Sequence, residues 1–411
     1  MRRATRAAWS AAYYLLAITP LRAAVTVQLE SGFWTDESAS ANSGYDIPVS
    51  GSLEARGRIY NNRIRYLGEV RAGSKDYFRD EKVAIVREGY FEAPLWGGDV
   101  SIGRLLLSWG RADQVNPTDS LVTRDYQWRT VTDEEQKTGN DGISWSIDRA
   151  DWRYTMIWLP NLRSSTIPWI EKLENVPSDN LGDSDNFAVR VDHTIPKLDW
   201  GVSLYQGTDL MPSLQSTVTA DPNFRWKNYR IRRFGFDAAL NIGRSTLRLE
   251  FAQTTELSTR DDDVTVLYGV PGDDIKLVMG VDGDVARNLN LNLQVIGQWV
   301  TGNFPSIGSL PAGFQSLIEI QRLLNQQPEK HLYGFTWRLH KKLWQDALEL
   351  ELKGIAYTKS QGGLWSPRIK YKVDDRTTII VGGDRYYGDD DSIFGVLEDN
   401  SVWFLQGQWA I

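Results

Sequence analysis

Charge at every second position of short apolar segments is the most chemically suggestive pattern in this 411-residue sequence. Leu247, Leu249 and Phe251 alternate with Thr246, Arg248 and Glu250, and Leu348, Leu350 and Leu352 with Glu349, Glu351 and Lys353. Strand side chains point alternately to the two faces, so each segment carries one oily face and one charged face. Arg56, Arg58, Arg65 and Arg71 on one hairpin, and Arg368, Lys370 and Lys372 on one strand, form basic ladders. Arg104, Arg153, Arg190, Arg233, Lys276 and Arg338 follow the same parity. Glu54, Glu69, Glu88, Glu92, Asp148, Asp192, Asp237, Glu250, Asp282, Glu349, Glu351 and Asp384 nearly match them in number. Groups so arranged do electrostatic work: they pair across strands, or they hold water, ions and polar solutes. Two dozen charges on one face of a sheet need water beside them, because dry burial costs several kcal/mol per ion.

Covalent chemistry finds little support. Only His193, His331 and His340 are present, and none stands at a metal-ligand spacing or near a Gly-x-Ser-x-Gly turn. They read as turn or interface residues, although serines are frequent enough to keep a hydrolase conceivable. The absence of cysteine rules out disulfides, thiol catalysis and thiolate-ligated metal. No Gly-rich phosphate loop precedes a helix, so no cofactor is expected. The net charge of −7 argues against nucleic acid as a partner.

Elements that could position such a charged face follow from the connections. About eighteen segments of nine to thirteen residues alternate in this way, the length and period of a tilted membrane strand. Tight turns at Asn61-Asn62, 94–98, 148–151, 195–198, 242–244, 283–287, 340–346 and Asp374-Asp375 alternate with longer connections, roughly 34–49, 74–82, 110–140, 160–184, 208–229, 256–272, 300–330 and 387–400. One tight connection, 358–363, belongs to the second class. The fold class expected is all-β: a transmembrane antiparallel up-and-down barrel of about 16 to 18 strands, with short periplasmic turns and long extracellular loops. The mean hydropathy of −0.39 fits, since only half of each strand meets lipid, and 17 Trp with 17 Tyr suit two interfacial girdles. A barrel this wide encloses a lumen.

The segment Ser101 to Asp119 reads as one such strand, ending at Trp109-Gly110, with Leu105, Leu107 and Trp109 on one face and Arg104 and Ser108 on the other. Its Gly103-Arg104, Trp109-Gly110 and Asn116-Pro117-Thr118-Asp119 resemble the hallmark of a porin-like family of proteobacterial outer-membrane β-barrels, most of whose members have no assigned substrate. The resemblance implies a closed antiparallel barrel and names no solute. The connection after this strand holds Arg111, Asp113, Asp119, Arg124, Asp125, Arg129, Asp133, Glu134 and Glu135. It follows the fifth strand, where general porins fold a loop inward, so about 110–140 is the candidate constriction. The alternative is a loop lying across the mouth.

Residues 1–24 read as an export signal, with Arg2, Arg3 and Arg6 before an apolar core and Ala23-Ala24 at its end, leaving 25–411 as one outer-membrane barrel domain. Trp403, Leu405, Trp409 and Ile411 share a face, like the terminal strand read by the outer-membrane insertion machinery. Phe314 to Leu324 has apolar residues at helical spacing, for a short amphipathic helix in a loop. Asp261-Asp262-Asp263 and Asp389-Asp390-Asp391 read as solvated loop tips, or as divalent-ion bridges to lipopolysaccharide. The function expected is an outer-membrane porin-like channel for passive diffusion of small polar or charged solutes. The alternative is a loop-plugged barrel serving as an envelope docking or lipid-trafficking partner. The partners are outer-membrane lipid and lipopolysaccharide, and oligomerisation stays open.

Overall fold

The computed structural model describes residues 22–36, 45–60, 63–78, 84–168, 176–178, 185–216, 224–257, 272–302, 304, 306–309, 312–359 and 361–411. The expected signal core and Asp261-Asp262-Asp263 lie outside these residues, and so does the Asn61-Asn62 turn.

Eighteen antiparallel strands close into one barrel. Numbered along the chain, the barrel strands are β1 (Arg22–Asp36), β2 (Val49–Ile59), β3 (Ile64–Gly73), β4 (Ala84–Leu95), β5 (Gly98–Leu105) and β6 (Asn140–Arg149). Then follow β7 (Trp152–Asn161), β8 (Asn186–Ile195), β9 (Leu198–Thr208), β10 (Arg230–Ile242), β11 (Ser245–Glu256) and β12 (Asp274–Ala286). The circuit ends with β13 (Leu289–Val300), β14 (His331–Leu343), β15 (Leu348–Tyr357), β16 (Gly363–Lys372), β17 (Thr377–Tyr387) and β18 (Val402–Ala410). A two-residue strand, Tyr45–Asp46, extends the sheet where it pairs with the end of β1. β1 begins at Arg22, three residues before the expected boundary.

Closure is made by β1 against β18, in register from Gln28↔Ala410 to Asp36↔Val402. In hydrocarbon an open edge would leave a row of N–H and C=O groups unpaired at several kcal/mol each, so the first and last strands must meet. Alternation places the oily residues outside. Val25, Leu29 and Phe33 on β1, Met279 and Val281 on β12, Leu293 and Val295 on β13, and Leu405 and Trp409 on β18 are all solvent-exposed without a bilayer. Among the described residues no helix is long and apolar enough to cross a membrane.

The turns and loops alternate as expected, and the loops at the extracellular end are knitted together. Helix Ala312–Leu324 forms where the periodicity places it and buries Ile318, Gln321, Arg322 and Leu323. Beyond its end, the Asn325 side chain accepts from the Leu214 amide at 2.8 Å. Leu214 belongs to a small hairpin, Ser213–Ser216 with Phe224–Lys227, inside the connection between β9 and β10. The helix therefore seats on another loop. Asp389, Asp390 and Asp391 are exposed, as solvated loop tips are.

Candidate functional site: the loop-crossed lumen

β5 ends at Leu105, four residues short of the expected Trp109. From there residues 106–139 leave the wall and cross the barrel. Trp109 is buried with Leu121, Ile157, Leu159, Ala188, Tyr205 and Ile231, and the Arg190 guanidinium lies 5.7 Å from its ring. The expectation that Leu105 and Trp109 face lipid is thus reversed: both are buried. The lipid-facing residue of this strand is Ile102, 53% exposed, and Arg104 shares its side. Arg104 sits opposite Gly89 and Asp141 in the sheet and binds Asp141 at 2.7 Å. It belongs to the outer face, where the sequence reading had placed it in the lumen. The oily side of the segment turned inward because a loop had to be seated there, which a single-strand pattern does not reveal.

One arm of the loop, 109–118, is fastened to the wall of β8 to β14. Gly110, at φ +102°, turns the chain so that the Arg111 and Ala112 amides donate to the Glu250 carboxylate of β11, Ala112 at 2.5 Å. The Thr118 hydroxyl adds a third donor to it at 3.1 Å, and Glu250 is wholly buried. Arg111 pairs with Asp237, and with Asp192 at 3.0 Å; Arg190 joins both, at 2.6 and 2.7 Å. Arg248 donates to the Arg111 carbonyl at 2.7 Å and stands 3.5 Å from Asp282. Asp113 pairs with Arg338 at 2.9 Å. Two guanidinium groups and two carboxylates in one closed ring offset their mutual desolvation, which an isolated buried charge does not.

The returning arm, 128–139, lies against the opposite wall. Arg129 pairs with Asp46 at 3.1 Å, and its amide donates to the Tyr77 carbonyl at 2.9 Å. Val131 packs with Trp34, Ile380, Val402 and Phe404. Asp133 meets Lys353 at 2.7 Å. Arg368 reaches the Val131 carbonyl at 3.4 Å and pairs with Asp384 at 2.8 Å. Arg87, at a bulge in β4, holds the Lys137 and Glu134 carbonyls and Glu69. Arg71 is buried against the Tyr77 hydroxyl at 2.7 Å. Burial, and then the neighbouring Glu30 charge, push the Glu135 carboxyl up to about 7.

Between the arms the loop folds on itself. Asp119 accepts from Ser108 at 2.8 Å and lies 3.8 Å from Arg124, and burial raises its carboxyl above the ordinary value. Asp125 accepts from the Thr166 hydroxyl at 2.6 Å, tying the loop to the next extracellular connection. Asn140, wholly buried at the start of β6, donates to the Leu121 carbonyl and accepts from the Arg163 amide, at 2.8 and 2.9 Å. The sequence singled out neither Asn140 nor Trp109 as an anchor; a polar residue at a strand end carries no pattern that marks it.

Apart from Arg104, the candidate residues therefore fall into two sets. Arg71, Arg111, Asp113, Asp119, Arg124, Asp125, Arg248, Glu250 and Arg368 are engaged in seating or bracing the loop. Arg56, Arg58, Arg65, Lys370 and Lys372 belong to the periplasmic half of the wall. Arg56 stands 3.6 Å from Glu54 with two thirds of its side chain exposed, Arg65 pairs with Glu92, and Lys372 pairs with Glu349 at 3.0 Å. Arg58 is exposed, and Lys370 lies opposite Glu349 in the register. Of the histidines, His193 stacks on Trp152 with centroids 4.0 Å apart on the outer face, and His340 faces Glu349 at 3.7 Å. No metal-binding cluster of His, Asp and Glu occurs among the described residues.

A closed eighteen-strand barrel with a long loop folded in after the fifth strand decides the fold. This is the porin fold. OccK10 of Pseudomonas aeruginosa superposes with a TM-score of 0.58 at 10% identity, over 95% of this chain and 99% of that one. A BenF-like porin of Pseudomonas fluorescens gives 0.55 at 10%, over 95% and 98%. OccK2 of P. aeruginosa, solved in complex with glucuronate, gives 0.54 at 9%, again over 95% and 98%. No protein-family model and no curated protein matches the chain.

Proposed function

We propose that this protein is a porin-like channel of the Gram-negative outer membrane, admitting small polar or charged solutes by passive diffusion, with the loop of 106–139 as its constriction. The observation that carries the reading is the double anchorage of that loop: one arm on Glu250, Asp237 and Arg338, the other on Lys353, Arg368 and Trp34. A loop held at both walls narrows the passage at mid-barrel, and below it the exposed Arg56, Arg58 and Lys372 and the half-buried Lys370, with Glu54, Glu349 and Glu351, line a wet wall of both signs. Selectivity then arises from width and charge at the constriction, with no chemical step. A fold neighbour that holds glucuronate is in keeping with a small polar solute.

Single-channel recording in planar bilayers tests the reading. The wild-type chain should give discrete conductance steps, and deletion of 118–134 should enlarge them. Steps of unchanged size would remove the constriction role. Silence from both chains would leave the plugged barrel, an envelope docking partner, as the surviving function; the apolar pads of Trp109 and Val131 inside the lumen are the feature that favours it.

A further inference from the structure

Arg104 faces the membrane side of the wall at the extracellular end of β5, and Arg163 follows just beyond β7, its amide on Asn140 at 2.9 Å beside the Asp141 that Arg104 binds, where the channel has no use for them. Arg104 shares its face with the exposed Ile102, two residues earlier, or about 7 Å along the strand. Of its five N–H donors, three are engaged: two by Asp141, at 2.7 and 3.0 Å, and one by the Val86 carbonyl at 2.9 Å. The fork is thereby fixed in direction with two donors left over among the described residues. Arg163 follows the last residue of β7 by two, is exposed, and its guanidinium makes no hydrogen bond or ion pair among the described residues. Burial and the Arg104 charge hold it below the ordinary arginine value, with Asp141 opposing. Two cations thus share one carboxylate, and the cluster carries a net positive charge at the lipid rim.

Beside Arg104 the outer face is open. Gly89, its partner in β4, and Gly68, the partner of Gly89 in β3, have no side chains there. A methyl group added at Gly68 would meet nothing within 4 Å, and one at Gly89 only the Val86 Cγ1 at 3.6 Å. Exposed Val70, Val86 and Ile102 border this notch. Nearby, Trp158 donates to Asp185 at 3.1 Å, its ring on the lipid face and its N–H on a polar partner, as aromatic side chains do at the level of lipid headgroups. Guanidinium groups at that level face phosphate, which their planar fork binds through paired hydrogen bonds.

We propose that Arg104 and Arg163, beside the Gly68–Gly89 notch, bind the phosphate of an outer-leaflet glycolipid of the lipid A class, whose acyl chain lies in the notch. The binding is direct, without the divalent cation that an acidic loop tip would require.

The test uses the full chain in detergent micelles, titrated with bisphosphorylated lipid A and with its phosphate-free form, and read by native mass spectrometry. The wild-type protein should hold the bisphosphorylated lipid, and Arg163→Glu and Arg104→Gln should each weaken it by about tenfold or more, the scale of a lost charge-assisted pair. Gly68→Phe, which fills the notch and leaves both cations in place, should weaken it several-fold. Arg163 lies in a connection outside the barrel strands, so its variant reports even if Arg104→Gln folds poorly. Equal retention by wild type and Arg163→Glu would overturn the proposal. So would equal binding of the phosphate-free lipid, or displacement by millimolar inorganic phosphate alone.

Discussion

Replacing Glu250 by alanine should unseat the loop of 106–139, the proposed constriction, while leaving the barrel closed. The wholly buried Glu250 carboxylate accepts from the Arg111 and Ala112 amides and the Thr118 hydroxyl. Each hydrogen bond to a charged group is worth about 1.5–3 kcal/mol net, and the three share one acceptor, so their sum overstates the effect. Its removal leaves three buried donors without an acceptor at about 1–3 kcal/mol each, and with partial rehydration about 3–5 kcal/mol in all is the better guide. At about 1.4 kcal/mol per decade, the loop's released fraction rises by about two to three and a half orders of magnitude. Limited proteolysis within 118–134 should then be fast in Glu250→Ala and slow in the wild type, with single-channel traces becoming noisy. Glu250→Gln keeps one acceptor oxygen and turns an amide N–H toward a second donor, so it should fall between. The barrel is held by ladder hydrogen bonds that Glu250 does not make, and its resistance to unfolding in detergent should persist. Wild-type proteolysis rates in Glu250→Ala would refute the clamp.

Gly110→Ala should act on the same clamp from the loop side: φ is +102°, and the new methyl would stand 2.5 Å from a Glu250 oxygen. Its cleavage rate should resemble that of Glu250→Ala. Trp109→Ala removes the centre of a buried cluster and should cost the loop's seating about 3–5 kcal/mol, read by the same proteolysis assay. Glu135 supplies a pH dependence. Its folded carboxyl is raised from 4.5 to about 7, so the seated loop binds more protons than the released one between those values, and seating weakens as pH rises through that window. Cleavage at pH 8 should exceed that at pH 5 in the wild type, and Glu135→Gln should flatten the difference. Asp133→Asn breaks a pair with one exposed partner, so it should move seating by no more than about 1 kcal/mol while altering conductance and its salt dependence.

The barrel was legible in the sequence because it rests on two short-range rules, alternation along a strand and tight turns at every second connection. The strand number and the outward faces of β11 to β15 follow from them, and the loop helix from apolar residues at helical spacing. The lumen was harder to read. Arg56, Arg58, Lys370 and Lys372 could be placed by parity alone. Whether Arg71, Arg111, Arg368 and Glu250 are free or engaged depends on a loop arriving from far along the chain: Glu250 and Ala112 are 138 residues apart. Arg104 was misplaced for a related reason, because parity was anchored on Leu105 and Trp109 in the belief that oily residues on a barrel strand face lipid.

That belief fails where a loop lands, and the failure has a pattern of its own. A barrel this wide cannot fill its lumen with wall side chains, so a loop crossing it needs apolar pads on the inner face. A strand bearing such a pad has oily residues on both faces and reads as an unbroken run. Met156-Ile157-Trp158-Leu159 does so, with Met156 and Trp158 exposed and Ile157 and Leu159 buried beside Trp109. Val402-Trp403-Phe404-Leu405 does so too, with Val402 and Phe404 buried beside Val131, and Ile379-Ile380-Val381 on the neighbouring β17, where Val381 pairs with Leu405, puts Ile380 in the same cluster. Val295-Ile296 and Val278-Met279 do the same, with Val295 and Met279 exposed and Ile296 and Val278 forming the seat for Ala112. By contrast Leu247 to Phe251 alternates strictly, and its contact with the loop is made by charge. Continuous apolar runs among alternating strands therefore mark where a loop is held by packing. Charging the inner member alone, as in Ile157→Asp, should release the Trp109 arm and leave the outer face as it was.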